Sequence, residues 1–373
     1  LYSSAASDVY KRQSPFRPFT SVQESGLILS TLGNDELTYE KKTEFNLGID
    51  LGFLENRINV AMDVYTRDNH DLIGTTRTQG VGGEIAKFAN IASMKSHGFE
   101  LSVSSNNIKT KDFSWNTDFI YSIYKNEVTD LNAIATTMDY VSGTGFTMVG
   151  YPHRGLFSIP FAGLDSNGIP MFYNEKGEIT STDLSFQSSD DFSWLKYEGP
   201  TEPTFTGSLG NSFTYKNVHL NVFFTYSGGN VVRLDPVFSY RYSDLTATTR
   251  EFKNRWMVPG DENRTNVPTI LSYRQYYENA ELRNAYSAYN YSTERVAKGG
   301  FIRLKEISVA YDFPKKWLSA LKVSNVSLKL QATNLCLLYA DKKLNGQDPE
   351  FVNSGGVASP VPRQFTMTLR LGL

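Results

Sequence analysis

Four histidines and one cysteine are the residues with the readiest chemistry near neutral pH in this 373-residue chain. His70, His97, His153 and His219 are scattered, and none has a serine or cysteine partner at a spacing that suits nucleophilic catalysis. No CxxC or HExxH pattern is present, so neither Cys336 nor any histidine is expected to hold a metal. The neighbouring carboxylates Asp190/Asp191 and Asp261/Glu262 have acid/base potential, but they sit among Ser, Gly and Pro, where solvated turns are expected. "DSNG" at Asp165 lacks the remaining ligands of a calcium loop and reads as a turn. No glycine-rich phosphate loop occurs, and the pairs Gly82/Gly83, Gly228/Gly229 and Gly355/Gly356 fall in expected connections. The chain is read as a non-enzyme with no cofactor. His97 and His219 are expected on the wet face of strands.

One cluster reads as a binding surface. "YRQYYENAELRNAYSAYNYSTER" carries Tyr273, Tyr276, Tyr277, Tyr286, Tyr289 and Tyr291 beside Arg274 and Arg283. Tyrosine offers a flat apolar face and a hydrogen-bonding tip, which suits sugar rings and peptides. The competing expectation is that these rings pack the connection against itself or against a protein partner.

Composition narrows the classes further. Formal net charge is −2 and Lys and Arg are scattered along the chain, so the footprint of a nucleic-acid binder is missing. The mean hydropathy is −0.35, and no apolar run approaches the roughly 18 residues of a spanning helix. A single cysteine excludes an internal disulfide, and packing is its expected role. "LYSSAASDVYKRQ", residues 1–13, fits nothing that follows and resembles translated sequencing adapter, so it is set apart from residues 14–373.

The elements that must carry the tyrosine cluster are strands. In "RQFTMTLRLGL" the residues Phe365, Met367, Leu369 and Leu371 alternate with Gln364, Thr366, Thr368 and Arg370. The same alternation recurs from Phe45 to Phe53, Ile58 to Val64, Phe99 to Val103, Phe113 to Ile123, Phe205 to Tyr215, Val218 to Tyr226, Ile307 to Phe313 and Val326 to Ala332, which makes nine strands. Stretches near ten residues suit a tilted strand crossing a bilayer, where about 9–11 are needed. Connections alternate as outer-membrane barrels require: short at 54–57, 105–112 and 216–217, medium at 314–322, long at 67–96, 125–203, 227–300 and 335–362. With the last strand ending in the periplasm, every long connection is extracellular. Glu44, Asp50, Asp63, Glu100, Asp118, Glu306, Lys329 and Arg370 take the opposite parity, the wet lumen of a wide barrel. The expected fold is an all-β, antiparallel transmembrane β-barrel.

Residues 33–373 then resemble, in order, the barrel of the SusC/RagA family of TonB-dependent outer-membrane transporters of Bacteroidetes. The most specific stretches are "YEGPTEPTFTGSLGNSFTYKNVHLNVFFTYSGGN", "RWMVPGDENRTNVP", "GGFIRLKEISVAYDFP", "QATNL" and "NGQDPE" with "SPVPRQFTMTLRLGL". The resemblance implies the C-terminal nine or ten strands of a roughly 22-stranded plugged barrel, hence an open sheet with two free edges that does not close, insert or transport alone. It also implies a location in the outer membrane, among lipid and lipopolysaccharide. Import of an oligosaccharide or peptide is implied too, with a SusD-like lipoprotein as lid and TonB acting through an N-terminal region. Family members commonly end on an aromatic residue, where this chain has Leu373. The alternatives are a TonB-independent passive or adhesive outer-membrane barrel and a secreted β-rich carbohydrate-binding module.

Overall fold

The computed structural model describes residues 12–16, 26–31, 36–78, 86–143, 145–187, 191–237, 249–318, 323–352 and 362–372. In chain order the strands are β1 (Arg12–Phe16), β2 (Gly26–Thr31), β3 (Lys41–Phe53), β4 (Ile58–Arg77), β5 (Ala86–Lys109) and β6 (Phe113–Leu131). The helix α1 (Thr137–Val141) leads to β7 (Gly155–Ser158), β8 (Phe161–Leu164), β9 (Pro170–Tyr173), β10 (Ile179–Thr180) and β11 (Lys196–Pro200). Next come β12 (Phe205–Tyr215), β13 (Val218–Gly228) and β14 (Val231–Arg233), followed by the helices α2 (Tyr273–Glu278) and α3 (Ala280–Asn290). The chain closes with β15 (Val296–Lys298), β16 (Phe301–Asp312), α4 (Lys315–Leu318), β17 (Asn325–Tyr339) and β18 (Gln364–Gly372).

Nine of these strands form one antiparallel sheet in the order β18-β17-β16-β13-β12-β6-β5-β4-β3, which is the set marked by alternation. Because directly opposed residues share a face, the register reads out each face in rows. One row runs Met367, Leu330, Val309, Leu220, Phe213, Trp115, Ile108 across six strand pairs. Another runs Leu51, Val60, Val103, Phe119, Leu209, Phe224, Leu304, Cys336. This apolar face meets no other part of the described chain over much of its area: Phe45, Phe365, Met367 and Leu369 are 57–77% exposed. Apolar rows of that extent in contact with water would be a large aggregation surface; against lipid they are the anchoring band. The opposite face carries Asp50, Asp63, Glu100, Asp118, Glu306 and Arg370, with Asp63 directly opposite Glu100. Like charges so placed repel, and a wet lumen screens them.

The regular alternation changes phase once in β16, and a bulge explains it. Ile302 and Leu304 share the apolar face with Ile307 and Val309 although their numbers differ in parity, because the pairing skips between Leu304 and Glu306. Close packing across strands uses glycine at two places. The ring of Tyr65 lies over Gly98 on the polar face, where a Cβ would meet Tyr65 Cζ at 2.3 Å. On the apolar face Tyr226 lies over Gly207 and donates its hydroxyl to the Ile120 carbonyl at 2.9 Å.

Three expectations are corrected. The connection assigned to 67–96 is mostly strand: β4 and β5 are 20 and 24 residues long and pair out to Arg77 and Ala86, leaving 78–85 between them. Their outer parts escape the alternation because they reach beyond the bilayer, where both faces are wet; about 3.3 Å per residue makes β5 roughly 80 Å long against a hydrocarbon core of about 30 Å. His97 does not have lumen parity; it shares the face of Phe99 and stands opposite Thr66 and Lys125, past the end of the apolar rows. Finally, 125–203 and 227–300 hold β7–β11, β14, β15 and three helices besides the outer ends of β6 and β13. Residues 1–11, Gly82, Gly83, Asp190, Gly355, Gly356 and Leu373 lie outside the described residues.

Both edge strands, β3 and β18, have one partner each among the described residues. In hydrocarbon such unpaired backbone groups cost several kcal/mol each, so the sheet requires further strands on both sides. The face assignment predicts a contrast in the complete barrel. Leu369→Arg, on the apolar row with Leu328, is expected to cost roughly 2–4 kcal/mol in urea titration from lipid vesicles, whereas Thr366→Arg, opposite Gln331, costs far less. Equal penalties at the two positions would contradict the lipid-facing assignment.

Candidate functional site

At the end of the sheet where the long connections emerge, segments 132–204 and 229–300 build a core of their own. Its buried members include Tyr140, Val141, Phe157, Ile159, Phe172, Ala285 and Ala288. Aromatic edges meet faces throughout: Tyr140 packs against Phe157 at 5.5 Å and 77°, and Phe161 against Tyr289 at 5.7 Å and 72°. The helix α3 supplies one wall because Leu282, Ala285, Tyr286 and Tyr289 recur at helical spacing, and Asn279 caps it by accepting from Leu282 N–H at 3.0 Å.

A buried cation ties this core together. Arg233 donates to Ser158 Oγ at 3.0 Å and to the carbonyls of Ser292 (2.9 Å), Val141 (3.1 Å) and Phe157 (2.7 Å), which joins β14 to α1, β7 and the segment after α3. Burial lowers its pKa to about 10, against the charge of Glu198, so it stays protonated at neutral pH. Two further buried arginines act elsewhere: Arg295 binds within segment 229–300, and Arg303 ties the sheet to the connection after β17. Arg295 pairs with Glu251 and donates to the Asp235 carbonyl, and Arg303 on β16 pairs with Asp348 (2.6 Å) and Glu350 (2.8 Å). Beside Arg295 lies a polar cleft of about 330 Å³, bridged by Gln347 donating to Asp235 at 2.8 Å and Asn345 to Glu251 at 2.7 Å.

The six tyrosines and two arginines of the cluster divide. Tyr286 and Tyr289 are 4% and 2% exposed and belong to the core, which corrects the expectation of one surface. Tyr286 donates to the Thr269 carbonyl at 2.8 Å, and burial pushes the Tyr289 hydroxyl well above the usual phenol range. Tyr291 is half-buried, edge-on to Phe186. Tyr273 and Tyr277, by contrast, are 76% and 44% exposed, with ring centroids 4.3 Å apart, and Tyr276 meets Tyr277 at 5.4 Å and 73°. Their short helix α2 is held by a capping box between Ser272 and Gln275. Arg283 fixes the α2–α3 corner through the carbonyls of Tyr276 (2.8 Å) and Tyr277 (3.0 Å), and Arg274 pairs with Glu278 at 2.8 Å. The result is a small rigid aromatic shelf whose cations are engaged within the protein.

The residues with catalytic potential are engaged in turns. Asp165 accepts from the N–H groups of Asn167 and Ile169, both at 2.8 Å. Asp261 accepts from Met257 and Val258 N–H, and Glu262 from Trp256 Nε1 (2.9 Å) and Gly260 N–H (2.8 Å). His153 is exposed beside Thr147, and partial desolvation by its surroundings lowers its pKa. Among the described residues no three His, Cys, Asp or Glu side chains gather as a metal site would require. Sequence reasoning missed Arg233, Arg295 and Arg303, which are lone arginines with no periodic signal; only "NGQDPE" hinted at the anchor made by Asp348.

No family model matches the chain. Curated relatives do. The chain is 26% identical over 353 residues to TonB-dependent receptor P3 of Formosa agariphila, covering 88% of this chain and 32% of that protein. It is 28% identical over 372 residues to TonB-dependent receptor SusC of Bacteroides thetaiotaomicron, covering 91% and 32%. Among solved structures, that of the RagAB peptide transporter matches with a TM-score of 0.74 at 20% identity, over 98% of this chain and 38% of the other. The chain therefore spans about a third of the length of the curated relatives it matches. It is similar to SusC/RagA-type TonB-dependent receptors in sequence, has their barrel fold, and is an outer-membrane chain. These relatives are receptors and transporters rather than enzymes.

Hydrogen bonds hold the carboxyls of Asp261 and Glu262 below their ordinary values of 3.8 and 4.5. A depressed folded pKa means stability that is fully present above the ordinary values and lost as pH falls through the folded ones. Amide exchange across 256–267 is accordingly expected to be the same at pH 7 and pH 5.5 after correction for intrinsic rates, and faster below pH 3. Glu262→Gln should remove part of that acid sensitivity.

Proposed function

We propose that the complete protein imports a large nutrient, an oligosaccharide or peptide, across the outer membrane with energy relayed through TonB, and that a SusD-like lipoprotein covers its outer loops. The observation that carries this reading is the pairing of two structures with different solvents: a lipid-facing strand set, and above it a loop assembly with a dry aromatic core of its own. A passive pore needs only the first. The similarity to TonB-dependent receptor SusC and to the RagAB peptide transporter supports TonB-linked import.

In this reading the long connections face the cell exterior and the short turns at 54–57 and 216–217 face the periplasm, as in outer-membrane barrels generally. Tyr273, Tyr276 and Tyr277 then form a ligand-contacting shelf on the outside, with Arg274 at its rim, while Tyr286, Tyr289 and Tyr291 hold the shelf from beneath. Aromatic faces engage sugar rings or peptide side chains without needing charge, which suits a shelf whose arginines are already paired.

Two measurements test this in the full-length protein. Cells lacking the gene, or depleted of TonB, are expected to lose uptake of the nutrient, and uptake that persists without TonB would favour a passive barrel. Tyr273→Ala with Tyr277→Ala should weaken ligand binding roughly tenfold while the protein level stays constant. For orientation, Tyr273→Cys in intact cells should react with an impermeant maleimide and Lys216→Cys should not; the reverse labelling would overturn the proposed sidedness.

A further inference from the structure

The hairpin of β13 and β16 does not end where the sheet ends. Gly228 and Gly229 on one strand face Gly299 and Gly300 on the other, and beyond them the same two chain segments pair again as the ribbon β14–β15. The glycines make this break possible. Gly229 has φ 83°, a Cβ on Gly228 would meet the Phe205 ring at 2.6 Å, and one on Gly299 would meet Asn230 Nδ2 at 2.3 Å. Below the overhanging ribbon opens a groove of about 470 Å³, lined by Phe205, Tyr226, Phe301, Ile302 and Tyr339 and, from the ribbon, Lys298.

Its position sets it apart from a ligand pocket of the lumen. Tyr226, Ile302 and Tyr339 lie in one row of the apolar face, so the groove opens toward lipid. It sits at the outer ends of four strands, each paired on both sides, and so owes nothing to the open edges of the sheet. Tyrosines at this height mark the headgroup level. At its roof the charge is positive. Lys298 is exposed, and the 3-10 turn Lys342–Leu344 with Lys342 and Lys343 sits beside β15. Asp341 accepts the backbone N–H groups of Lys298 and Lys343, at 2.8 and 2.9 Å, while Lys343 lines the separate polar cleft with Asp235 and Glu251, so Lys298 is the cation on the groove itself. None of the three lysines forms an ion pair among the described residues, in contrast to Arg295 and Arg303. Another apolar groove on this face, between β16, β17 and β18 at Ile307 and Met367, has no cation among its lining residues.

We infer that this groove is a binding site for a phosphate-bearing lipid of the outer leaflet, with an acyl chain lying against Tyr226, Ile302 and Tyr339 and a headgroup phosphate on Lys298. An apolar trough continuous with the lipid-facing band selects an acyl chain over a soluble ligand, and the unpaired cation at its upper rim selects an anionic headgroup. This assignment rests on the orientation proposed above for naming the leaflet, but the binding itself does not depend on TonB or on nutrient import.

The test is native mass spectrometry of the full-length protein in detergent, titrated with monophosphoryl lipid A and with its dephosphorylated form. The wild type is expected to retain the phosphorylated lipid preferentially. Lys298→Gln should lower that occupancy roughly fivefold, the worth of one lysine at an anionic headgroup, and leave the dephosphorylated lipid unchanged. Tyr339→Ala should weaken both lipids, since it removes a wall of the trough. Equal retention of the phosphorylated lipid by wild type and Lys298→Gln would overturn the inference, and so would displacement of the lipid by inorganic phosphate alone or by a co-purifying lipoprotein. Reversed cysteine labelling in cells with lipid retention intact would remove the sidedness and not the site.

Discussion

Every backbone N–H and C=O that this chain carries into hydrocarbon must find a partner within the protein, because lipid offers none. The nine-stranded ladder is the response to that constraint, and the rest of the molecule is arranged around it. Strand alternation follows from the ladder, since a pleated backbone sends successive side chains to opposite faces and only one face may be wet. The bulge in β16 follows too: it restores the phase of the apolar rows at the cost of one unpaired residue, Lys305, beside Glu306 on the wet side. The same rule governs the outer ends, where β4, β5 and β6 continue past the apolar rows with polar residues on both faces. The ladder persists there because water tolerates it and the loop core needs a rigid base.

That loop core obeys the ordinary rules of a globular interior. Its aromatic rings meet edge to face or tilted, its helices are capped, and the buried Arg233 is met by carbonyl oxygens and a hydroxyl rather than left bare. Arg233 reaches three separate segments, so the assembly holds or loosens as a unit. Arg303 and Asp348 then transmit any movement of the last long connection to β16, a strand in the middle of the sheet.

Strand number and the two faces were legible because a period of two survives in any window of a few residues, as in "RQFTMTLRLGL". Strand ends were not, because "TRDNHDLIGTTR" alternates nothing once both faces are wet. The tyrosine cluster was visible as a composition but its division was hidden. The spacing of Leu282, Ala285, Tyr286 and Tyr289 is a helical stripe, and weighing it would have sent Tyr286 and Tyr289 to the core and left Tyr273 and Tyr277 outside. His97 shares the parity of Phe99 and Leu101 in the sequence itself, and its partners Thr66 and Lys125 place it on that face. Arg233 had no legible signal at all, since its four partners come from segments up to 92 residues away.

The two bodies of the chain answer to separate solvents, and this has a consequence for how such a protein changes over generations. Substitutions on the shelf at Tyr273 and Tyr277 touch neither the lipid rows nor the contacts of Arg233. Under the proposed role of the shelf, ligand preference can therefore drift without endangering insertion, while the buried face of α3 and the carbonyl cage of the arginine hold the shelf in register. A lineage of these proteins would be expected to vary fastest on the outward side of α2 and slowest one helical turn beneath it.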